Sequence, residues 1–100
     1  MHASIRTYKG NPGLGRRLAQ QRKDIEKTVQ KAPGFISYYL VDTPDGAVSL
    51  TLCRDREGVE ESARLAATWL RQNLPEVTSR PPEVTTGEVV IELTGVHAQH

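Results

Sequence analysis

Residues 33–75 have the sequence PGFISYYLVDTPDGAVSLTLCRDREGVEESARLAATWLRQNLP, and this stretch decides the fold. Two segments of alternating character flank the turn Thr43-Pro44-Asp45-Gly46, which is typical of a β-hairpin. Asp55 then stands where a helix N-cap is favoured, glutamates follow in the first turns, and Pro75 ends the helical pattern. The stretch therefore predicts strand, tight turn, strand and capped helix.

The turn fixes which side chains of the hairpin share a face. Its sequence fits a type I turn with Pro44 in second position and Gly46 in the left-handed region. Such a three-residue loop pairs Thr43 with Ala47, and hence Tyr39 with Thr51. Alternation along the strands then gives two sets. The apolar set comprises Ile36, Tyr38, Leu40, Val48, Leu50 and Leu52, and the mixed set comprises Phe35, Ser37, Tyr39, Val41, Ser49, Thr51 and Cys53.

The rest of the chain supplies two further strands and one further helix. Residues 2–8 alternate as a half-polar strand, and residues 14–31 carry the apolar stripe of a helix that Pro33-Gly34 stops. In the second helix, Glu60 and Arg64 are spaced for an ion pair. Residues 77–82 are expected to form a loop, and residues 83–94 the last strand. The order βαββαβ predicts an α+β, ferredoxin-like fold, with a four-stranded antiparallel sheet and two helices on one face.

Length and composition limit the possible assembly and the possible classes of partner. One hundred residues predict one domain over residues 1–95, followed by a flexible tail at 96–100. Two helices cover one sheet face only, and either hairpin set is too apolar to face water, so a homodimer is expected. A net charge of +1 gives no case for nucleic acid, and no apolar run approaches a membrane span of about 20 residues. The single Cys53 favours a reducing, cytoplasmic location.

Two motifs carry a family resemblance. Pro33-Gly34-Phe35 ends the first helix, and residues 54–59, RDREGV, join the hairpin to an acidic-capped helix. Together they resemble the antibiotic biosynthesis monooxygenase-like group of dimeric α/β-barrel proteins. The resemblance implies a ligand cleft between helices and sheet. It also implies one of several roles: cofactor-free oxygenation of aromatic polyketides, haem degradation, or none yet known.

The family pattern differs at three positions of this chain. Cys53 stands where many members have an aromatic residue at the end of the third strand, and Ser62 where many have a histidine. Arg6 occupies the first-strand position at which haem-degrading members have asparagine. The resemblance therefore does not favour haem degradation, and no cofactor is expected. The sequence contains no metal-binding motif. Three histidines near the chain ends, His2, His97 and His100, do not by themselves predict a metal site.

The resemblance also decides which hairpin face meets the helices. Burial alone would put the apolar set beneath them. In this group, however, the position of Cys53 faces the ligand cleft, so we expect the mixed set beneath the helices and the apolar set against the partner subunit. The predicted catalytic residues are Arg6 and Tyr39. The predicted ligand-binding residues are Tyr8, Ser49, Thr51, Cys53, Ser62, Trp69 and Asn73.

Two functions follow from this predicted site. In the first, the protein is a cofactor-independent monooxygenase of a small aromatic or polyketide-like molecule. Arg6 would then stabilise a phenolate or enolate, Tyr39 would orient the substrate and Trp69 would stack on it. In the second, the same residues fill the boundary between layers, and the domain is a non-catalytic ligand-binding or interaction module. A polar, enclosed pocket of roughly 300 Å³ or more would favour the first.

Overall fold

The computed structural model describes residues 1–95. The predicted tail at 96–100, with two of the three histidines, lies outside the described residues. The order of elements confirms the prediction of an α+β, ferredoxin-like fold. The elements are β1 (His2–Tyr8), α1 (Leu14–Ala19), α2 (Arg22–Val29), β2 (Phe35–Thr43), β3 (Gly46–Cys53), α3 (Arg56–Asn73), a 3₁₀ helix (Pro75–Ser79) and β4 (Glu83–Glu88).

The four strands form one antiparallel sheet in the order β2-β3-β1-β4. The two central strands, β1 and β3, pair along their whole lengths, so that Ser4 lies opposite Thr51 and Arg6 opposite Ser49. Strands β2 and β4 are the edges of the sheet. Side chains that project from β1 and β3 toward the helices lie at the centre of the molecule.

The hairpin register differs by one residue from the prediction. Thr43 pairs with Gly46 rather than with Ala47, so the loop contains only Pro44 and Asp45. Gly46 does not adopt the left-handed conformation. It is required instead for close approach, because a Cβ at this position would collide with the carbonyl oxygen of Tyr8. The register therefore exchanges the faces of β2 relative to the predicted sets.

A bulge at Ile36 restores part of the predicted arrangement. Phe35 lies opposite Cys53 and so shares its face, as predicted, but Tyr38 lies opposite Thr51, with a register shift between the two pairs. An extra residue in one strand interrupts the strict alternation of faces. Beyond the bulge, Tyr38 and Leu40 point to the side of Ser49 and Thr51, while Tyr39 points away from them.

The first predicted helix is divided in two. The backbone N–H of Gln21 donates to the carbonyl of Leu18, three residues back, at 2.9 Å, which ends α1 with a tighter turn. Helix α2 then begins at Arg22. The break falls between Leu18 and Ile25, which nevertheless both pack in the main core cluster.

Helix α3 begins as predicted. The carboxylate of Asp55 accepts a hydrogen bond from the backbone N–H of Gly58 at 3.2 Å, which is the bond of an N-cap. The predicted pair between Glu60 and Arg64 is wrong. Glu60 pairs with Arg56 one turn before it, and Arg64 pairs with Glu61 at three-residue spacing. Both pairs are exposed and contribute little to stability.

The last predicted strand is shorter than expected, and the preceding loop is partly helical. Residues 75–79 form a 3₁₀ turn whose Val77 is buried. Strand β4 ends at Glu88, because its neighbour β1 begins at His2, the residue opposite. Residues 89–94 consequently have no strand of the described chain beside them.

The helices cover one face of the sheet, and the other face is open. Beneath the helices lie the side chains of β3 predicted to face them, Ser49, Thr51 and Cys53, all buried. The core combines Leu14 and Leu18 of α1, Leu70 of α3, Val77 and Tyr8 in one cluster, and Ala32, Cys53 and Val59 in another. We call the opposite side the open face; its apolar members are Ile5, Tyr39, Val41, Val48, Leu50 and Leu52. Within residues 1–95, no helix is both long enough and apolar enough to cross a membrane.

Candidate functional site

A small inner cavity of about 40 Å³ lies between the helices and the sheet. Strands β1, β2 and β3 form its floor, and helices α1, α2 and α3 form its walls. Its lining residues are Arg6, Tyr8, Leu18, Ile25, Thr28, Val29, Tyr38, Leu40, Ser49, Thr51, Ser62, Ala66, Trp69 and Leu70. Most are apolar or carry a neutral hydroxyl, and Arg6 is the one formally charged side chain among them.

Arg6 is a buried cation without a carboxylate. Only 6% of the residue is exposed, and its Nε donates a hydrogen bond to the Tyr8 hydroxyl at 3.0 Å. The guanidinium carbon also lies 5.7 Å from the centroid of the Tyr8 ring, within the range of a cation–π contact. Among residues 1–95, Arg6 is in none of the ion pairs. A buried charge is costly unless it is paired, so this guanidinium is suited to an anion that the chain does not supply.

Tyr38 is the tyrosine of β2 that faces this cavity. Burial, with the neighbouring Tyr8 as a lesser cause, raises the pKa of its hydroxyl to about 12, even though a hydrogen bond with Ser49 and the charge of Arg6 lower it in part. At neutral pH the group therefore stays protonated. It can donate a hydrogen bond to an anion but cannot act as a general base.

The structure separates Tyr39 from the other predicted site residues. It lies opposite Leu50 on the open face, and 56% of it is exposed. The prediction that it faces the helices is wrong, because the loop has two residues rather than three. Sequence reasoning missed Tyr38 for the same reason. The signal that could have found it is the pair of adjacent tyrosines, one of which must point inward in either register.

Six predicted residues do surround the inner cavity: Arg6, Tyr8, Ser49, Thr51, Ser62 and Trp69. Cys53 faces the helices but lies apart, in the cluster with Ala32 and Val59. Asn73 is exposed and donates its side-chain hydrogen bond to the carbonyl of Trp69, so it does not reach the cavity. Burial raises the pKa of the Cys53 thiol, and the charge of Asp55 raises it further, which leaves little thiolate at neutral pH.

A much larger outer cleft adjoins the inner cavity. It has a volume of about 800 Å³ and opens between the edge strand β2 and helices α1 and α2. The two spaces share the side chains of Leu18, Ile25, Tyr38 and Leu40. These four residues therefore form the boundary that a ligand would cross on its way from solvent to Arg6.

Arg6 also borders a third space, on the side of the 3₁₀ helix. This cleft of about 370 Å³ is lined by Arg71, Thr78 and two prolines among others, and by no carboxylate. The charge of Arg6 is thus accessible from two directions. Within the described part of the chain, no three histidine, cysteine, aspartate or glutamate side chains converge as a metal site would require.

Comparisons with known proteins agree with this geometry at the level of the fold. No family model matches the sequence, and no curated protein matches it. Among solved structures, a protein of unknown function from Nitrosomonas europaea superposes with a TM-score of 0.70 at 17% identity, covering 96% of this chain and 95% of that one.

Two further solved structures have stated activities. The haem-degrading protein MhuD of Mycobacterium tuberculosis, solved with two haems in its active site, superposes with a TM-score of 0.64 at 16% identity over 94% of this chain and all of that one. A monooxygenase of Streptomyces coelicolor, in complex with nanaomycin D, superposes with a TM-score of 0.61 at 15% identity over 94% and 90%. The chain thus has the fold of the antibiotic biosynthesis monooxygenase-like proteins over nearly its whole length.

Proposed function

We propose that this protein is a homodimeric, cofactor-independent monooxygenase of a small aromatic compound that reacts as its phenolate or enolate. The observation that carries the proposal is the buried Arg6, which has no carboxylate partner among the described residues. The oxygen of a bound phenolate would supply the missing anion. The likeness in fold to a monooxygenase solved in complex with nanaomycin D supports the same reaction class.

The site residues would act on the substrate anion rather than on oxygen. Arg6 would lower the pKa of the bound phenol, so that its proton leaves to water, and the protonated Tyr38 would donate a second hydrogen bond to the resulting oxygen. Trp69 lines the inner cavity and not the outer cleft, so it would pack beside the inserted oxygen rather than on the ring. Both polar contacts strengthen as the oxygen becomes an anion, which is the condition for acceleration.

The chemistry then balances without a cofactor. The ring carbon opposite the phenolate oxygen carries electron density, and it forms a C–O bond with dioxygen to give a hydroperoxide after uptake of one proton. Loss of the hydrogen on that carbon and cleavage of the O–O bond release water and leave a quinone. Phenol plus dioxygen therefore becomes quinone plus water, with the substrate supplying all the electrons.

The volumes specify how a substrate would fit. The inner cavity of about 40 Å³ cannot hold an aromatic ring system, whereas the outer cleft of about 800 Å³ can. The substrate would occupy the outer cleft and insert its oxygen past Tyr38 and Leu40. Side chains fill most of the space at the inner cavity, which also favours a second candidate function: non-catalytic binding of the same class of ligand.

Anthrone, whose enol is a phenol, and anthracene, which lacks the oxygen, are suitable probes. We expect the protein to bind anthrone and to consume one dioxygen per anthraquinone formed. Arg6→Met should weaken anthrone binding by about tenfold or more and leave anthracene binding unchanged. Arg71→Met is the matched control, since it removes a cation from the third cleft only. Equal binding of anthrone by wild type and Arg6→Met would overturn the proposal, and Arg6-dependent binding without oxygen uptake would favour the non-catalytic candidate.

The open face supports the homodimer. Ile5, Tyr39 and Val41 are more than one-third exposed there, and such a continuous apolar surface is costly in water. Packing this face against a second copy would bury more than roughly 1,000 Å² in total. Sedimentation velocity at micromolar protein should give twice the chain mass of 11.1 kDa, and a monomer would contradict the assembly. The cytoplasmic location that we also propose rests on the single Cys53, which is unpaired and buried.

A further inference from the structure

The third cleft, of about 370 Å³, is not used by the oxygenation that we propose. Strand β1, helix α3 and the 3₁₀ helix all contribute to its walls. It adjoins the inner cavity, because Arg6, Tyr8 and Leu70 line both spaces. Its other lining residues are Ala67, Arg71, Val77, Thr78, Pro81 and Pro82. Its volume is within the range of pockets that hold small molecules, roughly 300–1,000 Å³.

Two guanidinium groups border this cleft, and neither is paired with a carboxylate of the described chain. The ion pairs among residues 1–95 include neither Arg6 nor Arg71. Each guanidinium donates one hydrogen bond to a neutral hydroxyl, at 3.0 Å from Arg6 and at 3.3 Å from Arg71. Glu76, the acidic residue of the 3₁₀ helix, pairs with Arg17 of α1 instead. Two positive charges therefore meet at one cleft whose lining includes no carboxylate.

The burial of Arg6 distinguishes this cleft from a basic patch on the surface. A guanidinium has five N–H donors in a planar fork, and a buried one is costly unless those donors find acceptors. Arg6 is only 6% exposed, and its Nε is the one donor with a partner in the described chain. Arg71, by contrast, is exposed. An anion that entered from solvent would thus reach Arg71 first and then relieve the buried charge of Arg6.

We propose that the third cleft binds a small monocarboxylate with an apolar body, such as an aromatic carboxylate. The two oxygens of a carboxylate accept paired hydrogen bonds from guanidinium groups, so one ligand group would serve both arginines. The rest of the wall offers apolar side chains, and Pro81 and Pro82 have no backbone N–H to donate. A phosphate would leave oxygens against that wall without donors. The inference does not depend on oxygenation, because Arg71 borders neither the inner cavity nor the outer cleft.

Benzoate and its neutral analogue benzamide are the probes, and amide chemical shifts of the ¹⁵N-labelled full chain locate where they bind. We expect benzoate to shift the amides of Val77 and Thr78, and benzamide to bind about tenfold more weakly or less. Arg71→Met should weaken benzoate binding by about tenfold, because it removes one charged donor. Arg56→Met, the matched control, removes an exposed arginine at the other end of α3 and should change the Kd by less than about twofold.

Each contrary result would overturn the inference in a distinguishable way. Equal benzoate binding by wild type and Arg71→Met, or shifts confined to residues of the outer cleft, would place the anion elsewhere. Equal binding of benzamide and benzoate would mean that the cleft selects apolar bulk and not charge. Equal shifts with inorganic phosphate would remove the apolar body from the requirement. Failure of the wild-type protein to bind anthrone would contradict the oxygenation and leave the benzoate result standing.

Discussion

The two faces of one sheet carry the opposite side chains from those that burial alone would favour. Beneath the helices, β3 places Ser49, Thr51 and Cys53, whereas its open face carries Leu50 and Leu52. Small side chains let the helices approach closely, since a Cβ at Gly58 of α3 would lie 2.7 Å from the Cβ of Cys53. The covered face thus surrounds a cavity with polar side chains, and the open face presents the apolar side chains that we propose for association.

This arrangement has an energetic cost on the covered side. The hydroxyl oxygen of Ser4 is buried without a hydrogen-bond partner among the described residues, and Arg6 is buried without a carboxylate. Each group loses solvation that folding does not fully replace. The apolar clusters at the two ends of the helix layer must offset that loss, so the stability of the covered face depends on few residues.

The largest effect on stability is expected in the apolar core beneath the helices. Leu14 is completely buried in the main core cluster, so Leu14→Ala should lower the unfolding free energy by about 2–5 kcal/mol. Leu52→Ala deletes the same atoms from the open face and is the matched control. For Leu52→Ala, urea denaturation should show a small loss of unfolding free energy at low protein concentration, and a larger loss at concentrations where the dimer forms. Equal losses at all concentrations would contradict the distinction between the faces.

The next prediction concerns association. Leu50 lies at the centre of the open face, opposite both Ile5 and Tyr39. Leu50→Asp should convert the dimer to monomer in sedimentation experiments at micromolar protein, because an aspartate buried between two sheets would have no partner. Gln72→Asp, on the exposed side of α3, adds the same charge and should leave the dimer intact. A Leu50→Asp protein that remains dimeric would place the interface elsewhere.

Alkaline pH should distinguish the two adjacent tyrosines. The pKa of Tyr38 is raised to about 12 in the folded state, from an ordinary value near 10, so the fold favours its neutral form. Its contribution is therefore complete below pH 10 and is lost as the pH rises toward 12, up to about 2–3 kcal/mol. Tyr38→Phe should flatten this part of the stability profile, whereas Tyr39→Phe should retain it. The same profile for wild type and Tyr38→Phe would refute the assignment.

The sequence predicted those features that local chemistry controls. The N-cap at Asp55, the alternation of β1 and the small polar side chains of β3 each follow from a few neighbouring residues. The hairpin register did not follow, because Thr43-Pro44-Asp45-Gly46 suits loops of either two or three residues. What selects between them is the close approach of Gly46 to the Tyr8 carbonyl, which is a contact between distant segments.

The end of β4 and the composition of the site illustrate the same limit. Residues 83–94 have a continuous strand pattern, yet the strand ends at Glu88, which lies opposite His2, the first residue of β1. Arg6 and Trp69 line the inner cavity, as predicted, because both lie on elements whose faces were correctly assigned. Tyr38 was missed and Tyr39 included by the one-residue difference in the loop, so a single local ambiguity changed one side chain of the site.

The smallest effect is expected at Cys53, where the covered face should protect a thiol almost completely. The residue is fully buried, and burial, with the Asp55 charge as a lesser cause, raises the pKa of the thiol. Labelling of the folded protein by a disulfide reagent at neutral pH should therefore be far slower than labelling in urea.

Asp55→Asn separates the two causes of that protection. Asparagine keeps the N-cap of α3 but removes the charge, so only the lesser contribution to the raised pKa is lost. If burial dominates, labelling of folded Asp55→Asn should remain within about threefold of wild type. A rate near that of the unfolded chain would mean that the charge, and not the helix layer, protects the thiol. The covered face would then be open to solvent at this end, unlike the closed layer that the buried Cys53 and Val59 imply.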